Sequence, residues 1–177
     1  MGLLDISPKS IVLCNGTVHI ELAKLRLMQK LMRNKTIGPI LARLSPKWSF
    51  KATMRNIWSD AKKLKESDLD SMWELMKKEE GLLVMPMISQ FTRDRSRYWH
   101  RWVGALQNTK IPLAFLWGTE DPIATLEIAR VHHNESKGSR LVLLENTGHY
   151  PMIESPEKWS DELIELVDGY ESASIKA

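Results

Sequence analysis

LAFLWGTEDPI, residues 113–123, and LVLLENTGHYP, residues 141–151, are the stretches on which the fold of this chain turns. Each opens with a continuous apolar run too short for a helix, and each then breaks into turn-forming residues, at Gly118 in the first and at Asn146 in the second. Continuous rather than alternating hydrophobicity marks strands covered on both faces. PIATLEIARVHH, between them, reads as a helix, and SPEKWSDELIELVDGY, after them, as an amphipathic helix. Strand, helix, strand, helix is the pattern of a parallel sheet with helical crossovers, an α/β fold. In such sheets ligands bind at the C-terminal ends of the strands. Those ends carry Asp121 and His149, 28 residues apart with one crossover helix between them. A carboxylate accepting a hydrogen bond from an imidazole fixes the ring's tautomer and stabilises the imidazolium formed in general-base catalysis. Gly118 and Gly148 permit the tight turns that would aim the two side chains across the sheet edge. Either residue alone has a plain structural use, Asp121-Pro122 as a turn starter and His149 as a loop residue beside Pro151. Order, spacing and strand-end placement join them into a candidate acid–base pair.

Upstream, Ile11-Val12-Leu13-Cys14 has strand length and a β-branched start. Asn15-Gly16 follows, so IVLC-NG-TVHI is also compatible with a two-residue β-hairpin. From His19 to Gln107 the character is helical and rich in Met and Trp. ELAKLRLMQKLMR spaces Leu22, Leu25, Met28 and Leu31 helically, with Lys and Arg between them. Ser67 and Asp70 stand where a capping pair would start a helix containing Met72, Trp73, Leu75 and Met76. Pro86 interrupts or opens the next helix, and SRYWHRWVGAL closes the zone. Five of the seven tryptophans lie here, at Trp48, Trp58, Trp73, Trp99 and Trp102. They suit either a core or a ligand-accepting pocket wall.

A chain of 177 residues has the length of one domain. Cys14, its single cysteine, excludes an internal disulfide and a multi-cysteine metal site. MGLLDISPKS is too short and polar for a signal peptide, and no apolar run approaches the roughly 20 residues of a membrane-spanning helix. The expectation is a soluble, cytoplasmic protein. The net charge of +3 conceals an asymmetry: Leu22–Lys65 holds twelve Lys or Arg against Asp60 alone, and Glu154–Glu171 holds seven acids against Lys158 alone. No nucleic-acid motif accompanies the basic segment, so no nucleic-acid partner is expected. Its first helix, with Lys24, Arg26, Lys30 and Arg33 around Leu and Met, also fits a membrane surface. His132 and His133 lack partners at metal-ligand spacing and read as exposed helix-end residues, and His19 and His100 as surface or pocket-rim residues.

WGTEDPI followed by LLENTGHYPMIESPEKW resembles the acid and histidine loops of the α/β-hydrolase fold superfamily, whose triad runs nucleophile, acid, histidine along the chain. The resemblance implies that Asp121 is the acid and His149 the general base, with Glu154 holding the histidine loop or capping the last helix. It implies three regions: residues 1–14 as the remnant of the core sheet ending in its sixth strand, 15–108 as a helical cap, and 109–177 as the C-terminal part of the core. NGTVHIEL, LMQKLM with IGPILARL, and HRWVGAL leading into KIPLAFLWG are similar to the mesoderm-specific transcript group, close to haloalkane dehalogenases and epoxide hydrolases. Some relatives carry the acid after the sixth strand; that position here is Asn15, which cannot serve as a carboxylate. Trp117 is expected to pack within its strand rather than bind a halide.

The nucleophile elbow, G-x-S-x-G or its Asp variant, is absent. Ser10, Ser45, Ser49, Ser89 and Ser96 all lack the flanking glycines. The oxyanion-hole donors belong to the same missing half. The expected chemistry is hydrolysis of an ester, epoxide or haloalkane through a covalent enzyme ester, with a small-molecule substrate if an N-terminal half completes the site, no metal or organic cofactor, and no activity in this chain alone. The other expectation is a non-catalytic module that engages a partner or membrane through its Met/Trp-rich cap and basic face. Ile11–Cys14 would then be an apolar edge open to self-association.

Overall fold

The computed structural model describes residues 8–175, with side chains through residue 172. Residues 1–7 of the stretch assigned to the sheet, and most of the stretch weighed as a leader, lie outside the described residues. Strand β1 (Ile11–Cys14) is followed by seven short α-helices: α1 (Leu27–Met32), α2 (Ile37–Leu44), α3 (Lys47–Arg55), α4 (Glu66–Lys77), α5 (Gly81–Ile88), α6 (Phe91–Arg97) and α7 (Trp99–Gln107). Then come β2 (Leu113–Gly118), α8 (Leu126–Glu135), β3 (Arg140–Leu144), α9 (Pro151–Glu154) and α10 (Pro156–Ile175). The strands form one parallel sheet in the order β1-β2-β3, with Leu13 opposite Phe115 and Phe115 opposite Leu141.

Every residue of β2 is buried, because successive side chains feed opposite faces of a sheet covered on both sides. Leu113, Phe115 and Trp117 point to α8 and pack with Ala124, Ile128 and Ala129. Ala114 and Leu116 point to α10 and pack with Leu144 and Leu166. Trp117 is a packed strand residue, as its sequence context implied, and its indole Nε1 donates to Ala124 O at 2.8 Å. The helical segment has a separate small core of Met54, Ile57, Trp58, Leu64 and Leu69, which reaches the sheet domain at Ile123 and Tyr150.

Several local expectations change. Thr17–Ile20 does not form a second hairpin strand: β1 pairs in parallel with β2, and the chain turns away through Leu22 N to His19 O and Lys24 N to Ile123 O. A parallel partner with a long crossover wins because it buries β1 against the central strand. Helix α4 starts at Glu66 with Lys65 as its N-cap, so Ser67 and Asp70 lie inside it and do not cap it. Asp70 instead pairs with Lys47 and Lys51 of α3. Pro86 sits inside α5. In so short a helix the missing N–H costs one backbone bond, and the buried ring packs close to Gly38 of α2. Of the five tryptophans in this zone, Trp58 and Trp73 are core, while Trp48, Trp99 and Trp102 are exposed.

Candidate active site

The two sheet-edge loops are tied to each other before any side chain is considered. Thr119 N donates to Leu144 O at 3.1 Å and Glu120 N to Thr147 O at 2.9 Å. The approach is so close that a Cβ on Gly118 would stand 2.4 Å from Gly148 O, which only glycine avoids. This contact brings residues 118–121 against residues 144–149.

Asp121 is 4% exposed and fully hydrogen-bonded. One carboxylate oxygen, Oδ1, accepts from the backbone N–H of Ile123 at 2.8 Å and of Ala124 at 2.9 Å, an Asx-type turn that holds the side chain. The other, Oδ2, stands 2.7 Å from His149 Nδ1 and accepts from Asn15 Nδ2 at 2.7 Å. The sequence-predicted pair is thus in hydrogen-bond contact. With Nδ1 bound to a carboxylate, Nε2 is left as the basic nitrogen of the neutral ring. Glu120 and Glu145, the other carboxylates nearby in sequence, are exposed, and among the described residues neither is hydrogen-bonded to the ring. Among the described residues the His149 side chain makes one hydrogen bond, to Asp121, and no hydroxyl or thiol is bonded to it.

Asn15 does more than fill the position where some relatives carry an acid. At the end of β1, with φ 40°, it accepts from Gly118 N through Oδ1 at 3.0 Å while donating to Asp121. It orients the carboxylate and ties β1 to β2 at the site. Its sequence signal was Asn-Gly after a strand, which equally describes a turn.

Glu154 holds the histidine loop, as its place in the sequence suggested. Its Oε2 accepts from Gly148 N at 2.8 Å, and its Oε1 accepts from Ser59 N at 2.9 Å and from the Ser59 hydroxyl. Ser59 Oγ also reaches Asn146 O at 2.9 Å, and His149 N donates to Ile57 O at 3.0 Å. The helical segment is therefore stitched to the histidine loop by residues 95 positions apart in the chain. Nothing in the sequence around Ser59 announces this.

His149 and Tyr150 line a cavity of about 540 Å³ whose opposite wall is helical, with Met28, Met32, Met54 and Met85 among its side chains. Methionine and leucine dominate the wall, with Phe50, Ile57 and Ile123 and a few polar side chains such as Arg26 and Gln29, and no tryptophan lines it, which removes the pocket role weighed for those residues. Methionines adapt to irregular apolar shapes. Burial, and the Asp121 charge beside it, push the Tyr150 phenol above its ordinary range.

Of the other histidines, His100 is exposed, and His133 is at the end of α8 as expected but half-buried, bonded to Ser139 at 3.0 Å; His132 and His19 are placed differently from expectation. His132 is 2% exposed and stacks on Phe115 with ring centroids 5.4 Å apart. Burial, with the His19 charge nearby, lowers it to about 4. His19 is also buried, between Glu21 and Glu135 at 2.5 and 2.9 Å. Burial depresses its imidazole, yet the hydrogen bonds it donates to the two glutamates carry it above its ordinary value. Both lie inside because α8 presents the face holding His132 to the sheet and the residues after β1 fold over it. Among the described residues no group of three or more His, Cys, Asp or Glu is placed to hold a metal ion. None of the helices among them is long and apolar enough to cross a membrane.

A parallel sheet with Asp121 after one strand and His149 after the next is an arrangement found in the α/β-hydrolase fold. The sequence profile of the α/β-hydrolase fold family matches residues 9–156, and the chain belongs to that family. It is similar to LipZ of Mycobacterium tuberculosis, with 31% identity over 166 residues, covering 94% of this chain and 57% of that protein. It is also similar to mesoderm-specific transcript protein of Mus musculus, with 31% identity over 151 residues, 84% of this chain and 45% of that protein. Its fold matches that of a bromoperoxidase from Bacillus anthracis with a TM-score of 0.69, at 11% identity, over 90% of this chain and 58% of that one. The chain spans about half the length of the curated relatives it matches.

Proposed function

We propose that residues 1–177 are the acid- and histidine-bearing half of a hydrolase site, with 15–108 acting as its cap, and that catalysis requires a nucleophile this sequence does not contain. The observation that carries the reading is the 2.7 Å contact between His149 Nδ1 and the buried, fully bonded Asp121 carboxylate, facing an apolar cavity. The nucleophile attacks the substrate carbon and expels the leaving group, forming an enzyme ester. His149 Nε2 then takes a proton from water as its oxygen attacks that ester, and the imidazolium is stabilised by Asp121; the ester bond to the nucleophile breaks to free the product, and the imidazolium gives up its proton to the departing group or to solvent. The cavity's apolar wall favours a substrate with an aliphatic or aromatic body of ester, epoxide or haloalkane type. Without a nucleophile and oxyanion donors the chain alone is inactive, since those groups supply most of the rate.

The test has two arms. The purified chain, given a short activated ester, is expected to show no turnover that His149→Ala removes; such turnover would overturn the inactivity. A chimera places the N-terminal part of LipZ, a protein named as a hydrolase, ahead of Ile11. It is expected to hydrolyse an ester, epoxide or haloalkane, with His149→Ala lowering the rate about a thousandfold or more. A folded chimera that turns over none of the three, or one indifferent to His149→Ala, would refute the hydrolase reading.

A further inference from the structure

Helices α2 and α5 each have one side toward the cavity and one away from it. Ala42 of α2 and Leu82 and Met85 of α5 line the cavity. On the other side, α2 exposes Ile37, Ile40 and Leu44, spaced i, i+3, i+7, and α5 exposes Val84, Met87 and Ile88, spaced i, i+3, i+4. Leu44 and Met87 are each 73% exposed, and none of the six touches the cavity. The two helices meet on this side, where Pro39, Ile40 and Arg43 of α2 and Leu83 of α5 bound one shallow depression of about 250 Å³. Trp48, also 73% exposed, follows Leu44 at the start of α3.

Charge singles out the same region. Residues 22–46 contain Lys24, Arg26, Lys30, Arg33, Lys35 and Arg43 and no acid, and residues 81–92 contain no charged residue. Among the described residues none of these six bases forms an ion pair, whereas Lys47, Lys51 and Arg55, next in the chain, are all paired with Glu66 or Asp70. Arg43 borders this face and Lys35 precedes α2, while the acids Glu79 and Glu80 stand at the start of α5. An apolar face with unpaired bases beside it at α2 matches an anionic bilayer surface: apolar side chains enter the headgroup–acyl boundary, bases meet lipid phosphates and carboxylates, and a tryptophan sits at the interface. A complementary hydrolase half would be expected at the cavity and the free edge of β1, on the other side of these helices.

We infer that the outer face of α2 and α5 docks the protein on anionic membrane surfaces. Docking is independent of the catalytic reading, and vesicle binding is measured without substrate, so failure of one leaves the other standing. In flotation assays the full chain is expected to bind phosphatidylcholine vesicles containing phosphatidylserine at least about tenfold more tightly than phosphatidylcholine alone, with binding weakened by salt. Leu44→Glu with Met87→Glu is expected to reduce binding about tenfold or more at unchanged melting temperature, since both side chains are exposed. Arg43→Glu with Lys35→Glu is expected to abolish the preference for phosphatidylserine. Three results would overturn the inference: no binding to either vesicle, binding indifferent to all four substitutions, or self-association through this face, seen as a concentration-dependent mass that Leu44→Glu dissolves while vesicles remain unbound.

Discussion

In β2 six consecutive residues are buried and the loop after it holds Asp121 in four hydrogen bonds, whereas α2 and α5, of comparable apolar content, leave six large apolar side chains in solvent. The same residue types meet opposite fates because a parallel strand is covered on both faces, while a short helix laid over a cavity has an outer side with nothing on it. The first region holds Asp121 and His149 in one geometry. The second lines a cavity on one side and leaves its apolar side chains exposed on the other.

The comparison can be broken or sharpened by measurement. Leu116→Ala, in the middle of β2, is expected to cost about 3 kcal/mol or more in urea unfolding, from lost burial plus the cavity left behind; a small cost would mean the sheet is far less closely packed than its burial indicates. Acid comes next. With His132 held to about 4 in the folded chain and near its ordinary 6.5 when unfolded, its contribution to stability is fully present above 6.5. That contribution declines as pH falls toward 4, by about 3 kcal/mol for this group. His19, raised on folding, has the opposite sign and offsets part of the loss: its contribution is present below 6.5 and fades as pH rises through its folded value. Melting curves from neutral pH to 4 should therefore be flatter in His132→Phe than in the parent. Asp121→Ala leaves Asn15 Nδ2 and the N–H groups of Ile123 and Ala124 without their acceptor, and is expected to cost about 2 kcal/mol. Asn15 and Asp121 substitutions should be strongly non-additive in a double-mutant cycle, because they share that bond. The smallest effect is expected from Leu44→Ala on the exposed face, within about 0.5 kcal/mol; a loss comparable to that at Leu116 would erase the distinction between the two regions.

Where the sequence was legible, a single periodicity or a single motif sufficed. The continuous runs of β2 and β3 name their own elements, and Asp121 and His149 stand just past the strand ends where a parallel sheet gathers functional groups. Where legibility failed, the deciding partner was distant. IVLC-NG-TVHI carries a valid hairpin signal, and only the availability of β2 beside it makes β1 a parallel strand. His132 reads as a helix-end polar residue until the sheet is laid against α8 and Phe115 covers it. Ser67 and Asp70 have capping chemistry, yet Lys47 and Lys51 claim Asp70 once α3 and α4 pack together.

By itself, then, the sequence determined the α/β pattern of residues 113–175, the acid–histidine pair and the absence of a nucleophile motif, because each depends on residues within one or two elements. Tertiary structure alone decided that Asn15 orients the acid, that Glu154 and Ser59 join the helical segment to the histidine loop, and that the basic, apolar face of α2 and α5 looks away from the cavity. Each of these rests on which surfaces meet between elements far apart in the chain, and burial and hydrogen-bond satisfaction select those meetings only when the whole chain has closed.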